Sequence, residues 1–300
     1  MSGLTISDHD LPKQALHGIL ERAFAEDALA GDITSQLLIP VGAQARAVLR
    51  ARVGGVFSGA AVFREAMQFV DPDVAVAMFV RDGEGFTAGS ILAEVTGNAR
   101  SVLLAERIAL NLVQRMSAIA TTTSEYVRRV QGTGVRIADT RKTTPGLRII
   151  ERFAVRCGGG TNHRFSLSDA VLAKDNHLAV LTDGDPARLT EILSAAKALA
   201  GHTTHFEVEV DTAAQIEPVL AAGVDTIMLD NFTVDELRLG VALVGGRTRV
   251  EASGNVTLAN VAEVASTGVD VIAVGALTHS VSNLDIGLDI QIDLFQSPGL

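Results

Sequence analysis

The chain of 300 residues has no tryptophan, one tyrosine, one cysteine and only four lysines. The single cysteine, Cys157, has no partner for an internal disulfide, which accords with a reducing compartment, and it excludes a cage of clustered cysteines around zinc or an iron–sulfur group. No histidine pair has HExxH spacing. Apolar stretches are broken by charges or turn residues well short of the roughly 20 residues that a membrane helix needs, and the first residues lack the basic-then-apolar order of a secretory signal. A cytoplasmic protein without a membrane partner is expected. Cations are also in deficit: 25 Lys plus Arg face 35 Asp plus Glu, a formal net charge of −10, and no segment is dense enough in them to make the basic face that nucleic acid requires.

What is present reads as a globular protein, 47% hydrophobic and 20% charged, long enough to bury at least one large core. After a polar arm through Pro12, Gln14 to Ala30 has helical spacing, with Leu16, Ile19, Leu20 and Phe24 on one side and Gly31 at its end. From Ala43 to Thr96 the runs AQARAVLRARV, VAVAMFV and ILAEVTG predict short strands, with a helix-like patch at Ala60 to Phe69, so this region contains a sheet. Ser101 to Val130 is one long helical stretch, in which Leu103, Leu104, Ile108 and Leu112 recur on an apolar face.

Beyond Gly134 the rhythm changes. VRIADT, AVLAKDNH, FEVEVD, DTIMLDN, RVEASGN and DVIAVGA are short apolar runs ending in polar or glycine residues, and helical patterns intervene at Ala187–Ala200, Thr212–Ala222, Val234–Val244 and Leu258–Thr267. Such alternation predicts parallel strands buried on both faces, with chemistry at their carboxyl ends. Six strand ends are too few for a regular eight-fold barrel, so the fold class is α/β with an incomplete or irregular β/α barrel. An open doubly wound sheet is the alternative, weakened by the missing dinucleotide glycine fingerprint at the first strand–helix turn.

Candidate chemistry gathers at these ends. ADTRKTTPGLR crowds Asp139, Arg141, Lys142 and Arg148, which makes sense around an anion or a carboxylate network, although a solvated loop has the same composition. In GGGTNHRFSLSDAVLAKDNH, three glycines either admit an anion to the backbone or simply turn the chain. His163 and Arg164 follow, His163 being a packing or capping residue on the plainer reading, and Lys174 stands at the next strand end. In FEVEVD, Glu207 and Glu209 share a strand face, where buried acids need cations or a metal. Glu209 is the candidate magnesium-side or transition-state-side carboxylate and Glu207 a neutraliser of arginines. Asp230 occupies a matching strand end beside Asn231, and the alternative role of helix cap suits Thr233 better. Ser253, Gly254 and Gly275 are small-residue openings suited to phosphate, or turns only. Cys157 reads as a packing residue. The inventory fits a polyanionic substrate and a hard cation. Two other readings are a Schiff-base aldolase using Lys174 and a non-catalytic protein that binds a phosphate metabolite.

ADTRKTTPGLR, GGGTNHRFSLSDAVLAKDNH, FEVEVD, MLDN and EASGN, in this order, with GDITSQLLIP and NARSVLLAERIALNLVQRMSAIAT upstream, resemble the quinolinate phosphoribosyltransferase family across nearly the whole chain. One departure is Ala118, where the family carries glycine in its SGIAT stretch. The resemblance implies an N-terminal α/β sandwich-like domain over 1–117, an open β/α barrel over 118–279 and a C-terminal segment, 280–300, returning to the N-terminal domain. It implies transfer of phosphoribose from phosphoribosyl pyrophosphate to quinolinate in NAD biosynthesis, giving nicotinate mononucleotide, pyrophosphate and carbon dioxide, with Mg2+ as cofactor. It further implies a homodimer in which Arg107, from LLAER, reaches the neighbour's site. Arg107, Arg141, His163 and Arg164 then fall on the quinolinate-binding set. Lys142 and Lys174 fall on the phosphate-side lysines, Glu209 and Asp230 on the acidic pair that holds metal, and Ser253, Gly254 and Gly275 on the small residues near phosphate.

Overall fold

The structure is a computed structural model that describes residues 11–182 and 188–293. Most of the expected polar arm (residues 1–10), Ala187 at the start of an expected helix, and residues 294–300 of the C-terminal segment lie outside the described residues. Contacts divide the chain into two compact units. The first is built from the chain before Glu125, Thr143–Gly159 and the chain after His279; the second from Glu125–Lys142 and Gly160–His279. The described strands, in chain order, are β1 (Gln44–Ala51), β2 (Gly55–Val56), β3 (Ala75–Met78), β4 (Gly85–Phe86), β5 (Ile91–Asn98), β6 (Arg136–Ala138), β7 (Val171–Ala173), β8 (Phe206–Val210), β9 (Thr226–Asp230), β10 (Arg249–Ser253), β11 (Val271–Ala273) and β12 (Ile286–Asp293).

The first unit holds the antiparallel sheet β12-β1-β5-β3 and the small pair β2-β4. Alternation in QARAVLRA buries Ala45, Ala47, Leu49 and Ala51 on one face of β1. The helix Lys13–Asp27 buries Leu16, Ile19, Leu20 and Phe24, the four residues that spacing assigns to its inner side. Phe24 stacks on Phe69 of the helix Ala60–Val70 at 4.9 Å. The first helix stops at Asp27 and not at Ala30, because Asp32 accepts from the Thr34 and Ser35 amides and starts a separate helix, Ile33–Leu38. The long helix Ala99–Arg129 buries Val102, Ala105, Ala109, Val113, Met116 and Ala120 at three- and four-residue spacing.

In the second unit, six strands form a wholly parallel sheet in the order β6-β11-β10-β9-β8-β7. From β7 to β11 the spatial order follows the chain, and β6 comes next. No reversal of winding occurs, so the doubly wound alternative is set aside, and the arrangement is an incomplete barrel opened between β6 and β7. Every residue of β8 is buried, as expected of a parallel strand covered on both sides. Helices Leu189–Leu199, Ile216–Ala221, Val234–Val244 and Val261–Ala265 intervene, the second preceded by a 3-10 turn at Ala213–Gln215. Thr233 caps Val234–Val244 in a reciprocal pair with Glu236, which leaves Asp230 free of capping duty. Helices Arg148–Cys157 and Asp175–Thr182 were not expected from the sequence. Among the described residues no helix is long and apolar enough to cross a membrane.

Candidate active site

Neighbours in register on a parallel sheet project to the same face. Leu172 is opposite Glu207, Glu209 opposite Met228, Met228 opposite Glu251, and Asp230 opposite Ser253. One face of the open barrel therefore carries Glu207, Glu209, Asp230 and Glu251, while Val208, Val210, Ile227, Leu229, Val250 and Ala252 fill the other with buried apolar side chains. At the carboxyl ends lies a cavity of about 350 Å3. Arg141, Lys142, His163, Arg164, Lys174, Glu209, Asp230 and Ser253 all line it, although they come from segments up to 112 residues apart.

Not every expected residue lies there. Arg107 belongs to the first unit, where it lines a different cavity of about 450 Å3 with Arg22 and Glu26. Arg148 starts its helix there and donates from Nε to Thr143 Oγ1 at 2.9 Å. Of the glycine run, Gly158 is required by packing: a Cβ at that position would lie 2.5 Å from Thr123 Cβ of the long helix. Gly159 turns the chain at φ 84°. The turn reading of these glycines prevails, since none of them lines the cavity. A Cβ on Gly275 would stand 3.1 Å from Lys142 Cδ and 3.0 Å from His279 Nε2, so this glycine makes room for the lysine stem. Thr278 Oγ1 also donates to the Lys142 carbonyl at 2.7 Å.

The open edge of β6 explains how His163 and Arg164 arrive. Thr161 bridges Ala138 there, and the following segment is clamped by fully buried Asp139, whose carboxylate accepts from Asn162 Nδ2 at 2.6 Å and from the His163 amide at 2.7 Å. Asp139 is thus a structural clamp for Asn162 and His163, the residues that lead into Arg164. Arg164 Nη1 donates to the Ala170 carbonyl at 2.8 Å, while its Nε is buried with no hydrogen-bond partner. Burial, and next the charge of Arg141, hold the Arg164 pKa below its ordinary value. Two guanidinium groups that repel each other beside an open space, one with an unpartnered buried N–H, form a receptor for a planar anion.

Lys174 Nζ donates to Glu209 Oε2 at 2.8 Å. Burial raises the Glu209 pKa, the Lys174 contact opposes this, and the charges of Asp230 and Asp175 add to the rise. Asp230 Oδ2 accepts from Asn231 Nδ2 at 2.6 Å. Deeper in the barrel, His163 Nε2 lies 3.0 Å from Glu207 and 3.6 Å from Glu251. Burial works against the imidazolium form of His163, but the Glu207 hydrogen bond and the charges of Glu251, Glu207 and Asp139 outweigh it and raise the pKa. The Arg164 amide, 2.8 Å from Nδ1, opposes a proton there, so the ring proton sits on Nε2 facing the acids. Burial, followed by the charge of Glu207, pushes the Glu251 carboxyl up to about 8.

Ligand atoms of His163, Glu207 and Glu251 lie within 4.8 Å of one another, a donor set that could hold a divalent cation in place of the proton held there. Magnesium prefers oxygen ligands, keeps several waters, and suits one or two carboxylates shared with substrate phosphate. The cavity pair of Glu209 and Asp230 has this character. Each keeps one carboxylate oxygen outside the bonds to Lys174 and Asn231, and a cation between them would offset the charge of Asp230 that Glu209 feels.

Sequence reasoning passed over Glu251, although RVEAS sets an acid within an apolar strand just as FEVEV does. It also passed over the His279 ring beside Gly275, for which a four-residue helix after β11 leaves little periodic signal.

Comparison with known proteins covers residues 32–289 apart from Ala118. Residues 32–117 match the model for the quinolinate phosphoribosyl transferase N-terminal domain, and residues 119–289 match that for the C-terminal domain. A probable nicotinate-nucleotide pyrophosphorylase (carboxylating) of Bacillus subtilis is 41% identical over 278 residues, covering 92% of this chain and 94% of that one. The nicotinate-nucleotide pyrophosphorylase (carboxylating) of Mycobacterium leprae is 41% identical over 290 residues, covering 94% and 99%. The crystal structure of NadC from Streptococcus pyogenes superposes with a TM-score of 0.89 at 36% identity, covering 96% of this chain and 99% of that one.

Proposed function

This chain belongs to the quinolinate phosphoribosyl transferase family, and we propose that the cavity at the strand ends of its second unit is where it joins quinolinate to phosphoribosyl pyrophosphate. Its activity is carboxylating phosphoribosyl transfer in NAD biosynthesis, with nicotinate mononucleotide, pyrophosphate and carbon dioxide as products. The observation that carries the placement is Arg164, whose buried Nε lacks a partner beside Arg141 in a cavity that also holds two lysines and two carboxylates.

Arg141 and Arg164 hold the two ring carboxylates, and His163, already engaged at both ring nitrogens, fixes the start of Arg164 and forms part of the wall. So oriented, the ring nitrogen faces the anomeric carbon. That nitrogen attacks with its lone pair, the C–O bond to pyrophosphate breaks, and no proton leaves the nucleophile, so a general base is not required at this step. Lys142 and Lys174 face the phosphates and offset charge that develops on the departing oxygen. Glu209 holds Lys174 in place, and with Asp230 it offers carboxylate oxygens to the sugar hydroxyls and to magnesium. Bound magnesium supplies further neutralisation of the pyrophosphate. The pyridinium ring then takes up the electron pair of the breaking C–C bond as carbon dioxide departs, and a proton from solvent replaces it. Ser253, Gly254 and Gly275 leave room beside the phosphates.

The partner is a second copy of the chain, whose Arg107 completes the site, and the enzyme works in the cytoplasm on this reading. The Lys174–Glu209 contact disfavours the aldolase alternative, because it commits the lysine Nζ to a carboxylate and away from a carbonyl. The test is turnover. Purified protein with quinolinate, phosphoribosyl pyrophosphate and Mg2+ should release nicotinate mononucleotide, pyrophosphate and carbon dioxide in equal amounts, and should release no carbon dioxide with nicotinate. Binding of both substrates with neither product formed overturns the proposal in favour of a non-catalytic binder.

A further inference from the structure

Two asparagines at adjacent strand ends have backbones that few side chains adopt. Asn231 follows Asp230 with φ 58°, and Asn255 lies two residues beyond Ser253 with φ 54°; they are the two described non-glycine residues with positive φ. The turn at Asn231 folds its amide back on the preceding side chain, so that Nδ2 donates to Asp230 Oδ2 at 2.6 Å. Its other end is fixed as well, since Asn255 Nδ2 donates to Asn231 Oδ1 at 3.0 Å, which sets the amide with its nitrogen toward the acid. Asn255 is anchored in turn through its carbonyl, which accepts from Asn260 Nδ2 at 3.1 Å. The backbone continues the lacing beyond β9 and β10, with the Asn231 amide donating to the Ser253 carbonyl at 2.9 Å.

Gly254 makes this arrangement possible. It has φ 88°, and a Cβ there would come within 2.7 Å of Asn231 Cγ and 2.8 Å of its backbone nitrogen, so no side chain can stand between the two asparagines. The geometry points to Asn231 and Asn255 as a positioning relay for Asp230: the relay occupies one carboxylate oxygen and thereby aims the other into the cavity, toward magnesium and the phosphoribosyl substrate. Neither asparagine lines the cavity.

The inference rests on the function proposed above and is tested separately from it. Asn231→Gly keeps the left-handed backbone and removes only the amide; Asn255→Gly does the same one step away. Calorimetric Kd values are measured for phosphoribosyl pyrophosphate with Mg2+ and for quinolinate, alongside KM, kcat and thermal unfolding. The expected result for Asn231→Gly is a phosphoribosyl pyrophosphate Kd and KM raised about three- to tenfold, the effect of one charged hydrogen bond at a solvent-accessible rim. The quinolinate Kd and the Tm should stay at wild-type values. Asn255→Gly should raise the same Kd about two- to threefold, and the double variant should match Asn231→Gly alone, because one residue acts through the other. Unchanged affinity in Asn231→Gly, equal loss for both substrates, or full multiplication of the two single effects overturns the relay. A wild-type protein without turnover overturns the functional reading instead.

Discussion

Arg164→Lys separates charge from geometry at the feature that carries the functional assignment. Lysine keeps one positive charge but has no Nε–H and no planar fork. In the native protein Nη1 is committed to the Ala170 carbonyl and Nε, buried and unpartnered, remains for the ligand. The substitution removes at least one hydrogen bond between charged groups, worth about 1.5–3 kcal/mol, which corresponds to roughly a 10- to 150-fold loss of quinolinate affinity. Steady-state assays should show the quinolinate KM raised by that factor while the phosphoribosyl pyrophosphate KM changes by less than about threefold. Unfolding curves check that losing the Ala170 contact has not loosened the loop. An unchanged quinolinate KM, or equal losses for both substrates in a folded variant, refutes the placement of the dicarboxylate on this guanidinium.

Three further outcomes follow from other parts of the structure. Glu251 is 5% exposed and its carboxyl is held at about 8 against an unfolded value of 4.5, so the folded state keeps a proton that the unfolded state gives up. Stability is therefore lost as pH rises from 4.5 to 8, with a ceiling of roughly 4 to 5 kcal/mol; Glu251→Gln should gain on wild type in urea unfolding at pH 8.5 relative to pH 5, and parallel behaviour at the two pH values contradicts the assignment. Mixed Arg107→Ala and Lys142→Ala subunits should recover about a quarter of wild-type activity after exchange, because half of the dimers then contain one intact site; no recovery despite verified exchange counts against a shared site. Burial pushes the Cys157 thiol up to about 12, so iodoacetamide at pH 8 should label the unfolded chain and leave the native one unmodified, with rapid native labelling as the contrary result.

Much of the fold was legible because its signals are periodic. The apolar stripes of Lys13–Asp27 and Ala99–Arg129 follow helical spacing, and the six runs that became β6 to β11 are short apolar stretches recurring between helical patterns. The helix Arg148–Cys157 escaped notice because Arg148 was read with the cationic loop before it and Gly158 with the glycine run behind it. The division of Thr212–Ala222 into a 3-10 turn and a short helix depends on hydrogen-bond geometry that composition does not encode.

The candidate site was legible where charge is out of place. Arg141, Lys142, Lys174, Glu209 and Asp230 follow or close apolar runs, and parallel pairing carries them to one cavity, which Arg164 reaches through the Thr161 bridge. Sequence could not tell that Asp139 faces inward as a clamp, since its role depends on Thr161 bridging the open edge of β6. In sequence, Gly158 and Gly254 read either as openings for an anion or as turns; in the structure the first is set by Thr123 and the second makes space for Asn231. A glycine reports that something approaches closely and not what that something is.

The most direct measurement is a crystal structure of the protein with quinolinate bound. The two ring carboxylates should lie on Arg141 and Arg164, with the ring nitrogen turned toward the space bounded by Lys142, Lys174, Glu209 and Asp230. Quinolinate bound elsewhere on the chain, or in this cavity with its carboxylates away from both arginines, contradicts the account.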